Sequence, residues 1–116
     1  MHRMHELSIT EDVLRIATQH AKQAQATRVT RINLVVGDLS SIVDDSVQFY
    51  FDFLSRGTIA EGARLHFCRI APRLRCRLCA TEFPMRDMDW TCPGCGAVGG
   101  DVVSGREFFL ESIEVE

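Results

Sequence analysis

Hydrophobic positions in this chain change period several times. Ile9, Val13, Ile16, Ala17, Ala21 and Ala24 recur at the spacing of one helix face, with Glu11 and Asp12 in the first turn behind a capping Ser8 or Thr10. The pattern predicts a helix ending near Ala26-Thr27. The period then drops to two. Across Val29–Val36, Ile32, Leu34 and Val36 share one face and Arg31 and Asn33 the other, which predicts a half-buried strand closed by Gly37-Asp38. After a turn at Leu39-Ser40-Ser41, the pair Asp44-Asp45 opens a second helix through Ser55, with Gly57 as its left-handed stop. Val47, Tyr50, Phe51 and Leu54 form an apolar stripe on it, widened by Phe49 and Phe53, and the expectation is that this aromatic stripe packs in the core.

A second strand is predicted at Ala63–Ile70, where Ala63, Leu65 and Phe67 alternate with Arg64, His66 and Cys68, and Pro72 ends that organisation. Residues 73–100 differ in kind: cysteine-rich, poor in aliphatics, and too sparse to build an apolar core of their own. Glu107–Glu116 is strand-like again. Its backbone groups need partners, and the first sheet is the nearest source. The fold expected is therefore α/β (α+β): a small sheet with two helices in a discontinuous domain, residues 1–72 and 101–116, plus an inserted zinc-ribbon-like domain, residues 73–100.

Composition narrows the function classes without choosing one. The chain has 116 residues, 46% of them hydrophobic and 25% charged, enough for one modest core and a small satellite but not for a large multidomain enzyme. A net charge of −3 supplies no general field for a polyanion, so no nucleic-acid partner is expected. No apolar run is long enough for a membrane span and no secretory pattern opens the chain, so the expected location is cytoplasmic. His20 and His66 read as surface or packing histidines, and Cys68 as a small buried or half-buried residue. No phosphate-cradling loop or carboxylate pair stands out, so the chain is not expected to be an enzyme.

Cysteine spacing does choose a chemistry. CRLC, Cys76 to Cys79, is followed after twelve residues by CPGC, Cys92 to Cys95. Two residues between thiolates let each turn aim both sulfurs at one point, and two such turns complete a tetrahedral sulfur site. Structural zinc is the expected occupant, because its binding free energy folds a segment that lacks a core. Redox-active or disulfide-bonded pairs and a rubredoxin-like iron site remain open alternatives on spacing alone. Arg73, Arg75 and Arg77 crowd the first pair, with Asp87 and Asp89 expected to offset them. The opening MHRMHELSIT carries a second kind of donor: a histidine near a chain terminus, where amine, backbone nitrogen and imidazole reach a single ion, the nitrogen-rich square-planar set that nickel(II) prefers.

MHELSIT, GDLSSIV, FYFDFLSRGTIAEGARL, the paired CRLC and CPGC, and SGREFFLESIEVE together resemble the HypA/HybF family of hydrogenase nickel-incorporation proteins over essentially the whole chain. The resemblance implies a cytosolic nickel metallochaperone whose discontinuous α/β domain binds nickel as transient cargo while the insert holds structural zinc. It implies as partners a HypB-type GTPase and the precursor of the nickel-iron hydrogenase large subunit, with urease supplied by some relatives; a homo-oligomer is left open. Carried across, the family's nickel motif puts the essential imidazole at His5, with Glu6 contributing backbone nitrogen and carboxylate and Met4 the terminal amine. The rival class is a zinc-ribbon module that binds protein or nucleic acid without delivering nickel.

Two departures from the family pattern matter. Members usually begin at the Met-His-Glu, whereas Met1-His2-Arg3 precede it here. Three arrangements follow: a chain that starts at Met4, a native extension in which His2 with Met1 recreates the site as a substitute, or an ion shared by His2 and His5. Asp44 stands where relatives tend to have proline opening the second helix, a position aspartate also serves.

Overall fold

The computed structural model describes residues 2–87 and 89–116, and the side chains of all of these except His2, Arg3 and Met4. Its elements run α1 (His2–Gln23), β1 (Val29–Gly37), α2 (Asp44–Leu54), β2 (Arg64–Ile70), β3 (Arg73–Arg75), β4 (Glu82–Pro84), β5 (Asp101–Ser104) and β6 (Phe108–Val115). They form two three-stranded sheets, ordered β2-β1-β6 and β4-β3-β5. The chain divides into two compact units, one of residues 1–35, 42–68 and 109–116, the other of residues 36–41 and 69–108.

In the first unit, α1 starts seven residues earlier than a Ser8 cap would allow. The reason lies in its buried face: Glu6, Thr10, Val13, Ala17 and Ala21 line it at helical spacing. Two of those five are polar, so a hydrophobic pattern starts too late. Thr10 caps nothing; its hydroxyl donates to the Glu6 carbonyl one turn back, at 2.6 Å. The helix also stops earlier than Ala26. Gln25 takes a left-handed φ of 58°, and its N–H reaches the Lys22 carbonyl while the Ala26 N–H reaches Ala21, the paired bonds of a Schellman ending.

β1 is central in its sheet, and Ile32 and Leu34 are fully buried as the alternation required. The last strand does return to this sheet. Glu116 donates to the Arg28 carbonyl, the Thr30 hydroxyl to the Glu114 carbonyl and the Asn33 amide to Ser112, so β6 runs antiparallel to β1. α2 packs on α1 and buries Val47 and Phe51. Phe49 and Phe53 do not join them: they are 69% and 62% exposed, correcting the expectation that the aromatic stripe is core. At 100° per residue they lie on the helix flank away from Val47 and Phe51.

The second unit is wider than the 73–100 excursion read from composition, because β5 pairs with β3 instead of returning with β6. It also has a small core of its own, Leu74, Cys76, Phe83 and Cys92, with Met85, Trp90, Ala97 and Val102 against it. The expectation of no core failed because two cysteines and single residues of short strands supply it. Residues 36–41 belong here through backbone bonds, Gly37 to Glu107, Asp38 to Ile70 and Leu39 to Gly105. A Cβ on Gly37 would fall 2.1 Å from the Gly105 carbonyl oxygen, so only glycine permits that approach.

Candidate metal centres

Each C-x-x-C is the tip of a hairpin. The first tip, Cys76–Thr81, closes the β3–β4 pair next to the Arg75–Glu82 register; the second, Cys92–Ala97, sits inside the isolated bridge between Thr91 and Val98. The two tips repeat the same hydrogen bonds. Cys76 N–H donates to the Thr81 carbonyl and Ala80 N–H to the Cys76 carbonyl; Cys92 N–H donates to Ala97 and Gly96 N–H to Cys92. Both turns need a left-handed residue at the same place. Glycine fills it once, as Gly96 with φ 78°, and alanine fills it once, as Ala80 with φ 62°.

This repetition brings the four sulfurs together. All lie within 4.8 Å of one another, with Cys76 and Cys95 Sγ 3.6 Å apart and Cys79 and Cys92 Sγ also 3.6 Å apart. A disulfide needs about 2.05 Å, so these are free thiols. A tetrahedron with metal–sulfur bonds of about 2.3 Å has edges of about 3.8 Å. The donor set and its spacing therefore fit a four-coordinate zinc ion. Cys76 and Cys92 are buried and Cys79 and Cys95 exposed, so one sulfur of each turn joins the core and the other faces solvent.

Backbone and hydroxyl donors prepare the sulfurs for a cation. The Cys79 and Leu78 N–H groups lower the Cys76 thiol. The Thr81 hydroxyl, 3.2 Å from Cys79 Sγ, and the Thr81 N–H bring the Cys79 thiol down to about 6. Gly94 N–H donates to Cys92 Sγ at 3.3 Å. Cys95 goes the other way: the Ala97 N–H lowers it, but the Cys76 and Cys79 sulfurs outweigh that donor and push it up to about 12. Four clustered sulfurs thus keep a proton that a divalent cation displaces. Two of the arginines beside the first turn have partners other than Asp87 and Asp89: Arg75 pairs with Glu82 at 3.1 Å and Arg77 with Asp101 at 3.0 Å.

The other candidate donors do not converge in this way. His5 lies exposed on α1. Glu6, one residue on, is only 2% exposed, and its Oε2 accepts the Val43 N–H at 2.6 Å. Val43 is the N-cap residue of α2 and brings no side-chain cap of its own. The Glu6 carboxylate therefore binds the N-cap N–H as the glutamate of a capping box does, from 37 residues away, with its negative charge at the positive end of the helix. No local signal in the sequence announces that role. The side chain of His2, the possible substitute, and that of Met4 lie outside the described residues. Cys68 is exposed, contrary to expectation, because it points outward with Arg64 and His66 from β2 at the sheet edge. His20 and His66 are on the surface as expected.

Comparisons with known proteins agree with this arrangement. A family model described as hydrogenase/urease nickel incorporation, metallochaperone, HypA, matches residues 4–115. A hydrogenase maturation factor HypA from Dehalococcoides mccartyi is 48% identical over 97% of this chain and 95% of the relative. One from Geobacter sulfurreducens is 43% identical over 97% of this chain and 100% of the relative. A solution structure of a HypA protein superposes with a TM-score of 0.76 at 23% identity, covering 97% of each chain. The solution structure of the Ni metallochaperone HypA from Helicobacter pylori superposes at 0.65 and 21% identity, covering 95% of this chain and 96% of that one. At those identities the two structures speak for the fold. With a family match from residue 4 to residue 115 and relatives sharing close to half its residues, the chain belongs to the HypA family of hydrogenase and urease nickel-incorporation metallochaperones.

Proposed function

We propose that this chain carries nickel for the maturation of nickel-iron hydrogenase, receiving and releasing it at the start of α1 while Cys76, Cys79, Cys92 and Cys95 hold a structural zinc ion. The observation that carries this reading is the family match across residues 4–115, which begins at the Met-His-Glu itself. The His5 imidazole is the anchoring nickel donor, and backbone nitrogen at Glu6 and a terminal amine complete a nitrogen-rich set. With α1 beginning at His2, the Glu6 N–H lies past the orphan donors of the first turn, so its recruitment opens the helix between His2 and Glu6. The Glu6 side chain keeps its place on Val43 and contributes no ligand. His2 substitutes for His5, or shares the ion, where Met1-His2-Arg3 are retained.

Such a site favours transfer over turnover. One exposed imidazole with a few backbone donors binds nickel(II) and gives it up to a better-organised acceptor through mixed ligation. The receiving partners are a HypB-type GTPase and the hydrogenase large-subunit precursor, met in the cytoplasm. Among the described residues no helix is long and apolar enough to cross a membrane. Metal analysis of the full chain, alone and as His5→Ala, tests the assignment. Nickel is lost from the variant while zinc stays at one per chain; unchanged nickel stoichiometry refutes the role of His5. Repeating the titration with His2→Ala, on protein whose N-terminus is fixed by intact mass, separates the three arrangements.

A further inference from the structure

β6 forms one rim of the first sheet, since the strand order β2-β1-β6 pairs it on one side alone. It is eight residues long, Phe108–Val115. Rims of such length are commonly blunted by lysine, by proline or by a covering element. β6 contains neither lysine nor proline, and Phe109 and Val115 on it remain 49% and 40% exposed. Its two faces differ in kind. Phe109, Ile113 and Val115 share one by the period of two, with Glu111 among them. Ser112 and Glu114, tied by their side chains to Asn33 and Arg31, share the other, and Glu116 continues that row. Glu111, Glu114 and Glu116 are all exposed, and no lysine or arginine occurs from residue 107 to residue 116. Arg31 offsets Glu114 at 3.5 Å; Glu111 and Glu116 have no ion-pair partner among the described residues.

We propose that this rim accepts an extended segment of a partner protein as a fourth strand, and that the segment alternates basic residues with apolar or β-branched ones. Backbone pairing along a free rim supplies attachment for any extended chain, and the side chains choose among chains. Lysine or arginine at alternate positions comes opposite Glu114 and Glu116, where unlike charges on facing strands attract. The intervening residues cover Phe109, Ile113 and Val115 on the other face. A second copy of β6 is a poor occupant, because it brings two acidic rows together. Glu111 acts in the same sense: a charge set in the apolar row works against a wholly apolar strand. The glutamates thus refuse strands like their own and admit a cationic one, which is selection by repulsion as well as by attraction. The size of the surface sets its strength. One added strand buries far less than the about 1,200 Å² of the smallest lasting interfaces, so attachment is weak and short-lived.

NMR titration of the full zinc-loaded chain with a capped peptide alternating lysine and threonine, matched to the eight residues of β6, reads the contact directly. Amide shifts concentrate in residues 109–115, with half-saturation at about 0.1–1 mM. Raising the salt from about 20 mM to about 500 mM weakens binding at least roughly threefold, because the attraction between exposed charges is screened. A peptide of the same length and charge that alternates lysine and proline leaves those amides unmoved, since proline offers no N–H to a strand ladder. The double variant Glu114→Lys/Glu116→Lys loses roughly tenfold in affinity for the lysine-threonine peptide and binds a glutamate-threonine peptide instead. Both glutamates are exposed, and zinc content with far-UV circular dichroism verifies that the variant is folded. The proposal is overturned by shifts that miss β6, by equal binding of the proline peptide, or by a charge-reversed chain that still prefers lysine. It is overturned as well if the β6 amides shift with protein concentration alone, which would assign the rim to a second copy of this chain. None of those results touches the nickel assignment at His5, which is read from metal stoichiometry.

Discussion

The cysteine cluster and the start of α1 are both built around metal-binding residue types, and they are built in opposite ways. At the cluster, two hairpin tips repeat one set of backbone bonds, and four sulfurs come within 4.8 Å of one another. At the start of α1, one exposed histidine stands beside a glutamate already committed to the cap of another helix. What separates permanent from releasable ligation is the number of donors the fold holds in place before the ion arrives. A cage of four preset thiolates is part of the folding free energy of its unit; a single imidazole on a helix surface is not. On the proposed reading, retention and delivery divide along this line.

The largest test of the contrast removes the cage. Chelating the metal, or replacing Cys76 with serine, costs on the order of 10 kcal/mol of binding-coupled stability, and the small core of Leu74, Phe83 and Cys92 cannot make that up. Residues 73–104 should lose amide dispersion in NMR spectra. The helical dichroism should persist, because α1 and α2 lie in the other unit. Knuckles that stay ordered without metal would abolish the distinction drawn above. A smaller effect is expected at Glu6. Glu6→Ala leaves the Val43 N–H without its charged acceptor and should lower denaturation stability by about 2–3 kcal/mol, with zinc content unchanged. Glu6→Gln, which keeps an acceptor oxygen, should lose less. If both variants unfold at the wild-type midpoint, Glu6 is no part of the scaffold. The smallest effect compares the two turns within the cage. Ala80→Gly should raise stability by up to about 1 kcal/mol and Gly96→Ala should lower it by about as much. A Cβ on Gly96 meets nothing within 4 Å, so its penalty is purely conformational. Opposite shifts in thermal midpoint verify this; equal shifts would mean the turns are not equivalent.

Much of this molecule was legible in its sequence because it rests on short-range patterns. Alternation placed Ile32 and Leu34 inside β1, and the C-x-x-C pairs announced the sulfur site. The unpartnered backbone of the last strand foretold its return to the first sheet. What escaped was of another kind. Glu6 and Thr10 are polar residues on a buried helix face, invisible to a rule that counts apolar ones. The salt-bridge partners Glu82 and Asp101 are set by strand register, which the arginines' own neighbourhood does not encode. β5 is four residues long, too short for a period to show, so its pairing with β3 could not be anticipated. The chemistry of Phe49 and Phe53 points them inward, whereas their helical phase relative to Val47 and Phe51 sets them on the exposed side.

The bond from Glu6 to Val43 has a consequence for how Met4-His5-Glu6 can drift. On the proposed reading of His5, adjacent letters of Met-His-Glu answer to separate penalties: a replacement at position 5 leaves the architecture intact and is felt by whatever relies on cargo, whereas a replacement at position 6 is felt by the architecture first. A descendant relieved of its cargo would be free to discard the histidine and still be obliged to keep the acid.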